Sequence, residues 1–122
     1  MNKEKCSSNS LGKLGENAAI DYLKKKNYRI MERSFRFLKG EIDIIAYDQK
    51  TLVFIEVKTR KSKNFGFPEE SVTRSKQQQI RKIAQGFLSK NHLEDVECRF
   101  DVLSLFYNEK EGYKAHHIQN AF

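Results

Sequence analysis

The succession of helix-like and strand-like segments predicts an α/β fold, a mixed central sheet flanked by helices in the order α-β-β-β-α-β-β. Three observations predict it. Three strand-like segments follow the first helical stretch with only short turns between them, and a consecutive meander of that kind is antiparallel. A second helical stretch separates the third strand from the fourth, which permits a parallel crossover. Both faces of the second and third strands are largely apolar, so helices are expected on both sides of the sheet.

The first helix is read from about Ser10 to Lys26, because Leu11, Leu14, Ala18 and Tyr22 recur at the helical period and Ser10 is a fair N-cap. "YRIMERSFRF" is the first strand, with Ile30 and Met31 near its start and Phe35 and Phe37 on one face. "EIDIIAY" and "TLVFIEVKTR" are the second and third. "SKNFGFPEES" is a loop, marked by Gly66 and Pro68. From about Ser71 to Ser89 a second helix carries Val72, Ile80, Ile83, Ala84, Phe87 and Leu88 in register. "VECRFDVLSLFY" is a long fourth strand, and "GYKAHHIQNAF" adds a fifth. No repeat, low-complexity block or linker divides the chain, so residues 1–122 are expected to form one domain.

Composition narrows the function. Lys and Arg number 23 against 16 Asp and Glu, a net charge of +7, and a small protein this basic often meets a polyanion. The plainer alternative is a solvated lysine surface. No long apolar run offers a membrane span, and "MNKEKCSSNS" has no apolar stretch that would make it a secretory signal. Cys6 and Cys98 lie far apart without a CxxC pairing, which argues against a cysteine-ligated metal and for a reducing compartment, with a single disulfide as the lesser alternative. A cytoplasmic location is expected.

The most strand-like segment, Gly40 to Arg60, is interrupted by Glu41, Asp43, Glu56 and Lys58. Strand side chains alternate faces. Ile42, Ile44 and Ala46 are therefore expected on one face of the second strand, and Val53, Ile55 and Val57 on one face of the third. The two sets must meet on the same side of the hairpin, and a turn centred between Gln49 and Lys50 meets that requirement. Ile45 then faces Phe54, Asp43 faces Glu56 and Glu41 faces Lys58. Two carboxylates end up opposed, roughly 5 Å apart at Cβ, which is destabilising without compensation. A shared proton, a neighbouring lysine or arginine, or a divalent cation can compensate. Hard cations such as Mg²⁺ take carboxylate and carbonyl oxygens. Two acids, a cation and a lysine suit phosphodiester hydrolysis, which needs charge neutralised at the phosphate and a deprotonated water. The bland alternative pairs Glu41 with Lys58 and Glu56 with Arg60 as structural ion pairs.

At these residues the chain resembles a known superfamily. "GEIDIIAYD…LVFIEVKTR" looks like the core motif of the PD-(D/E)XK nucleases, which have a restriction-endonuclease-like fold. The whole chain is similar to the YraN-like family of uncharacterised bacterial proteins, from "GKLGENAAIDYL" through "GEIDIIA", "FIEVKTR", "FGFPEESV" and "RFDVLSL" to "HIQNAF". The resemblance implies that Asp43 and Glu56 bind Mg²⁺ or Mn²⁺, joined by the carbonyl of Val57, and that Lys58 is catalytic. One departure is Ile42, where the superfamily's motif has proline. Archaeal Holliday-junction resolvases are similar in carrying a glutamate on the first helix, and Glu16 matches that place.

Glu16 shares a helix face with Ile20 and Leu23, and its plain alternative is a half-exposed helix edge. Lys76 falls on the stripe of Val72, Ile80, Ile83 and Phe87, where it either points at the site or snorkels along the core. Arg60, Lys61, Lys63 and Lys76 are candidates for DNA contact. Phe65 and Phe67 either stack on bases or plug a core edge. Asp101 is expected to be structural rather than a ligand, and the adjacent His116 and His117 point to opposite faces of a strand, which argues against one shared metal. The expectation is a metal-dependent nuclease acting on DNA, branched or recombining DNA included, with no membrane partner and with a homodimer as a further expectation. The alternatives are a nucleic-acid-binding module without turnover and a protein-interaction domain of a DNA-processing complex.

Overall fold

A computed structural model of the chain describes residues 10–60 and 72–122. Lys61, Lys63, Phe65, Phe67 and Cys6 lie outside the described residues. Helix α1 spans Ser10–Lys25, and strands β1 (Arg29–Phe37), β2 (Gly40–Asp48) and β3 (Thr51–Arg60) follow. Helix α2 spans Arg74–Lys90 and precedes strands β4 (Glu97–Asn108) and β5 (Gly112–Ile118). The order is the one the sequence predicts. The second helix starts three residues later than expected, because Thr73 caps it: its side chain accepts the N–H of Lys76 at 3.1 Å.

The five strands lie in chain order in one sheet. The β1–β2, β2–β3 and β4–β5 pairs are antiparallel, while β3 and β4 are parallel. The helix between them, α2, supplies the crossover that a parallel pair needs. In the β2–β3 hairpin Asp48 faces Thr51, Tyr47 faces Leu52 and Ile45 faces Phe54, the register that side-chain parity demands. Gln49 takes a positive φ of 60° in the two-residue turn.

Each face of the sheet has its own core. Ala19, Ile20 and Leu23 of α1 pack on Ile44, Ala46, Val53, Ile55, Leu103 and Leu105. Ile80, Ile83, Ala84 and Phe87 of α2 pack on Phe35, Ile42, Ile45, Leu52 and Phe54. Close approach of the helices rests on two glycines. A Cβ at Gly15 would run into Thr59 of β3, and one at Gly86 would run into the ring of Phe37.

One expectation about the faces fails. Ile42 was expected beside Ile44 and Ala46, but it belongs to the α2-side core while they belong to the α1-side core. Alternation along β2 breaks at Asp43, the residue between Ile42 and Ile44. The break matches a backbone irregularity in β1. Arg33 pairs with Ile44 and Phe35 with Ile42, which places Ser34 across from Asp43, and Ser34 has φ 52°. A left-handed serine inside a strand costs free energy and turns the neighbouring side chains off the regular pleat.

A candidate active site where two strands part

Strands β2 and β3 pair only as far as Ile44 and Ile55. Beyond that point β3 continues alongside β4 to Arg60, opposite Phe106, while β2 follows β1 toward Gly40. The sheet therefore forks at Asp43. The carboxylate fills the gap that a backbone acceptor would have occupied: its Oδ2 accepts the N–H of Val57 at 2.8 Å. Asp43 and Glu56 thus meet at the mouth of a fork rather than as a ladder pair. Glu41 does not pair with Lys58 either, since it lies 3.4 Å from Nε of Arg36 across β1. The β2–β3 ladder ends at Ile44 and Ile55, beside the positive-φ Ser34 of β1.

Glu56 is 8% exposed and lies against two ammonium groups. Nζ of Lys58 and Nζ of Lys76 each stand 3.6 Å from its Oε2. Lys76 therefore does turn from the core-facing stripe of α2 to the site. Asp43 is less well served. Burial, then the charge of Glu56, pushes its carboxyl from the ordinary 3.8 up to about 7, against the pull of the Val57 hydrogen bond. Glu41 and Glu16 add to the push. So Glu16, on α1, acts on the same point as the acids of β2 and β3.

Glu16 is held there by residues that no periodicity marks. Nη2 of Arg33 lies 3.3 Å from Oε1, and the Ser34 hydroxyl donates to Oε2 at 3.4 Å. Arg33 also reaches Oδ1 of Asn17 at 2.9 Å. Ser34 is thus a functional candidate that sequence reasoning missed, and Arg33, which the sequence offers only as a candidate for contact with the DNA backbone, holds Glu16 instead. The one trace of Ser34 is a polar interruption in "RIMERSFRF". The contact of Gly15 with Thr59 seats the first turns of α1 beside the fork.

A cleft of about 510 Å³ opens over the fork, lined among others by Arg36, Gly40, Glu41, Asp43, Glu56, Lys76 and Gln79. Among the described residues no three His, Cys, Asp or Glu side chains gather to hold a metal ion by themselves. A hard cation does not need three: Mg²⁺ is commonly held by one or two carboxylates and keeps several waters. The donors here are all oxygen, which suits Mg²⁺ or Mn²⁺ rather than a soft metal. The residues present therefore fit such an ion.

The remaining candidates fall elsewhere. Arg60 ends β3 past the fork. Asp101 is fully buried in a separate network under α1, where it bonds Arg99, His117 and the N–H of Asn120. His117 points into that network. Cys98 carries a free thiol. No described helix is long and apolar enough to cross a membrane.

Residues 15–105, which include Glu16, Asp43, Glu56, Lys58 and Lys76, match a family model described as the uncharacterised protein family UPF0102. A UPF0102 protein of Geobacter metallireducens is 48% identical over 113 residues, covering 93% of this chain and 92% of that protein. Another, of Trichlorobacter lovleyi, is 46% identical over 114 residues, covering 93% and 90% respectively. A third, of Geotalea uraniireducens, is 45% identical over 120 residues, covering 98% and 94%. These names state a family and no activity.

Proposed function

We propose that this chain, which belongs to the uncharacterised protein family UPF0102, is a metal-dependent nuclease that hydrolyses DNA phosphodiester bonds. The observation that carries the reading is the convergence of Asp43 and Glu56, from two strands that part at that point, with a lysine 3.6 Å from Glu56. A protein that only needed a stable sheet gains nothing from a half-buried acid whose carboxyl is pushed up to about 7 by burial and by the charge of Glu56.

Asp43, Glu56 and the carbonyl of Val57 would hold Mg²⁺ or Mn²⁺. When bound, the ion supplies the positive charge that a scissile phosphate and an attacking water both require. The protein's own groups do the rest. Lys58 places an ammonium beside Glu56, where it orients the attacking water or neutralises charge that develops on the phosphate. Lys76, on the other side of Glu56, sits in the cleft wall and steadies the incoming strand. Glu16, clamped by Arg33 and Ser34, borders the site from α1 and completes its ring of acids. The net charge of +7 draws DNA to the protein without reading its sequence. In this reading the protein works in the cytoplasm, on branched or recombining DNA, and pairing of two copies is compatible with it.

One observation favours a second reading, a DNA-binding module without turnover. Two lysines already neutralise Glu56, so that half of the site is satisfied without a metal. The test is a calorimetric titration with Mn²⁺ and Mg²⁺ beside a cleavage panel of linear and branched DNAs. Wild type should bind the ion and cut, and Asp43→Asn should do neither. DNA affinity should fall steeply between about 50 and 200 mM salt. Equal metal binding by both proteins places the ion elsewhere, and salt-sensitive binding with no cutting selects the second reading.

A further inference from the structure

The acid cleft continues past Gly40 and Gln79 into a second groove. This groove, of about 760 Å³, runs between the β1–β2 turn and the outer face of α2. Leu38, Lys39, Gly40 and Gln79 line both spaces, so the two adjoin. The chemistry changes between them. The fork end is walled by acids together with Arg36 and Lys76, whereas the far end is walled by Phe37 and Leu38 on one side and by Gln78 and Lys82 on the other.

Leu38 is unusual. It is 75% exposed, more than the other large apolar side chains among the described residues. It occupies the two-residue turn between Phe37 and Gly40 with φ 57°, a conformation costly for a leucine. The turn is pinned to α2 on both sides of it. A Cβ at Gly40 would meet Ile83 and Gln79, and the ring of Phe37 packs over Gly86. An exposed leucine held in a strained turn beside a charged cleft calls for an apolar ligand that is itself attached to something anionic.

We propose that this groove receives an unpaired nucleobase of the DNA strand whose phosphate lies in the acid cleft. The proposal rests on the nuclease reading and narrows its substrate to DNA with an unpaired nucleotide next to the scissile bond. A base is flat, with apolar faces and a polar edge. Inside a duplex it is stacked and cannot enter a groove beside its own phosphate, whereas an unpaired nucleotide can rotate out. Leu38 and Phe37 offer the apolar contact. The amides of Gln78 and Gln79 each offer a donor and an acceptor to the edge, which suits any of the four bases and predicts little sequence preference. Lys39 and Lys82 give the rim the charge that neighbouring phosphates require.

The test measures binding separately from cleavage. With Ca²⁺ in place of Mg²⁺, a fluorescent duplex is compared with the same duplex carrying a single unpaired nucleotide, a fluorescent adenine analogue. Wild type should bind the unpaired form about tenfold tighter, and the analogue's emission should change on binding. Leu38→Ser and Gln79→Ala should each bring the affinity for the unpaired form down to that for the paired one. Met31→Ser, which removes an exposed apolar side chain of β1 away from the groove, should keep the preference. Equal wild-type affinity for the two DNAs overturns the proposal, as does an intact preference in Leu38→Ser. Either result assigns the groove to another occupant, such as a second copy of the chain. Cleavage in Mg²⁺ without any preference would leave the nuclease standing and sink the groove. A preference without cleavage would do the reverse.

Discussion

Asp101 and Asp43 are acids sunk into the same sheet, and they behave in opposite ways. Asp101 is fully buried, and burial alone would raise its pKa, yet the carboxyl is held below the ordinary range. His117 Nε2 lies 2.8 Å away, Arg99 donates twice at 3.0 Å, and the N–H of Asn120 donates at 3.0 Å. Asp43 is less deeply placed, and its carboxyl is pushed up to about 7. The Val57 N–H reaches it, but the charges that act on it belong to Glu56, Glu41 and Glu16. Depth does not separate the two acids. The count of donors and positive charges aimed at each one does. A carboxylate with its full set of partners holds a structure together, whereas one surrounded by other acids leaves work for a cation from outside.

The comparison can be attacked first at the satisfied acid. Asp101→Ala leaves Arg99, whose side chain is only 16% exposed, without its main partner, and it frees the turn that Asn120 anchors. Breaking a buried pair in this way costs about 3–5 kcal/mol. Chemical denaturation should show a loss of that size, with metal affinity at the fork little changed. A loss below about 1 kcal/mol would show that the network does not hold β4, β5 and α1 together.

A second test separates the chemistry at the fork from its electrostatics. An ammonium has no lone pair for a metal, so Lys58→Ala should leave ion binding almost intact and remove only one of the two cations near Glu56. DNA cleavage should fall by about 10² or more, the scale for losing one preorganised charge. Lys58→Arg should not rescue it, because a guanidinium is planar and does not give up its proton. Equal cleavage by all three proteins would remove Lys58 from the reaction.

How much of this could be read in the sequence depended on range. The hairpin register followed from parity and a turn placed between Gln49 and Lys50, since Ile45 opposite Phe54 and Tyr47 opposite Leu52 needed only two adjacent strands and one turn. Lys76 was visible as a lysine in an apolar stripe. The fork was not visible. It lies beside the left-handed backbone of Ser34 in a third strand, and serine carries no pattern that marks such a position. The clamp on Glu16 was hidden for the same reason, because Arg33 and Asn17 meet only once α1 lies across β1. The Asp101 network draws Tyr28, Asp48, Arg99 and His117 from separate elements. No local spacing encodes such a meeting. Parity also failed at Ile42, one residue beyond the irregularity, where alternation had no further authority.

The smallest effect bears most directly on the comparison. Asp43 has a carboxyl raised from the ordinary 3.8 to about 7 in the folded metal-free protein. The folded state therefore holds its proton through a pH range in which the unfolded chain has already lost it. Well below 3.8, at about pH 3 and under, Asp43 is neutral in both states and costs nothing. As pH rises from about 4 to about 7 the unfolded state is favoured progressively, by at most about 1.4 kcal/mol per pH unit, and above 7 the cost is constant. Asn keeps an oxygen for the Val57 N–H and never ionises. Asp43→Asn should therefore match wild type at low pH and exceed it in metal-free stability at pH 8: three pH units at that slope set a ceiling of about 4 kcal/mol, which solvent screening of the half-buried carboxyl cuts to about 1 kcal/mol. The difference between the two unfolding curves isolates this one group from the other titrating acids. Saturating Mg²⁺ should reverse the order, because only the wild type gains stability from the bound ion. A lower stability for Asp43→Asn at pH 8 without metal would place Asp43 beside Asp101 as a satisfied structural acid, and the contrast between the two regions would be lost.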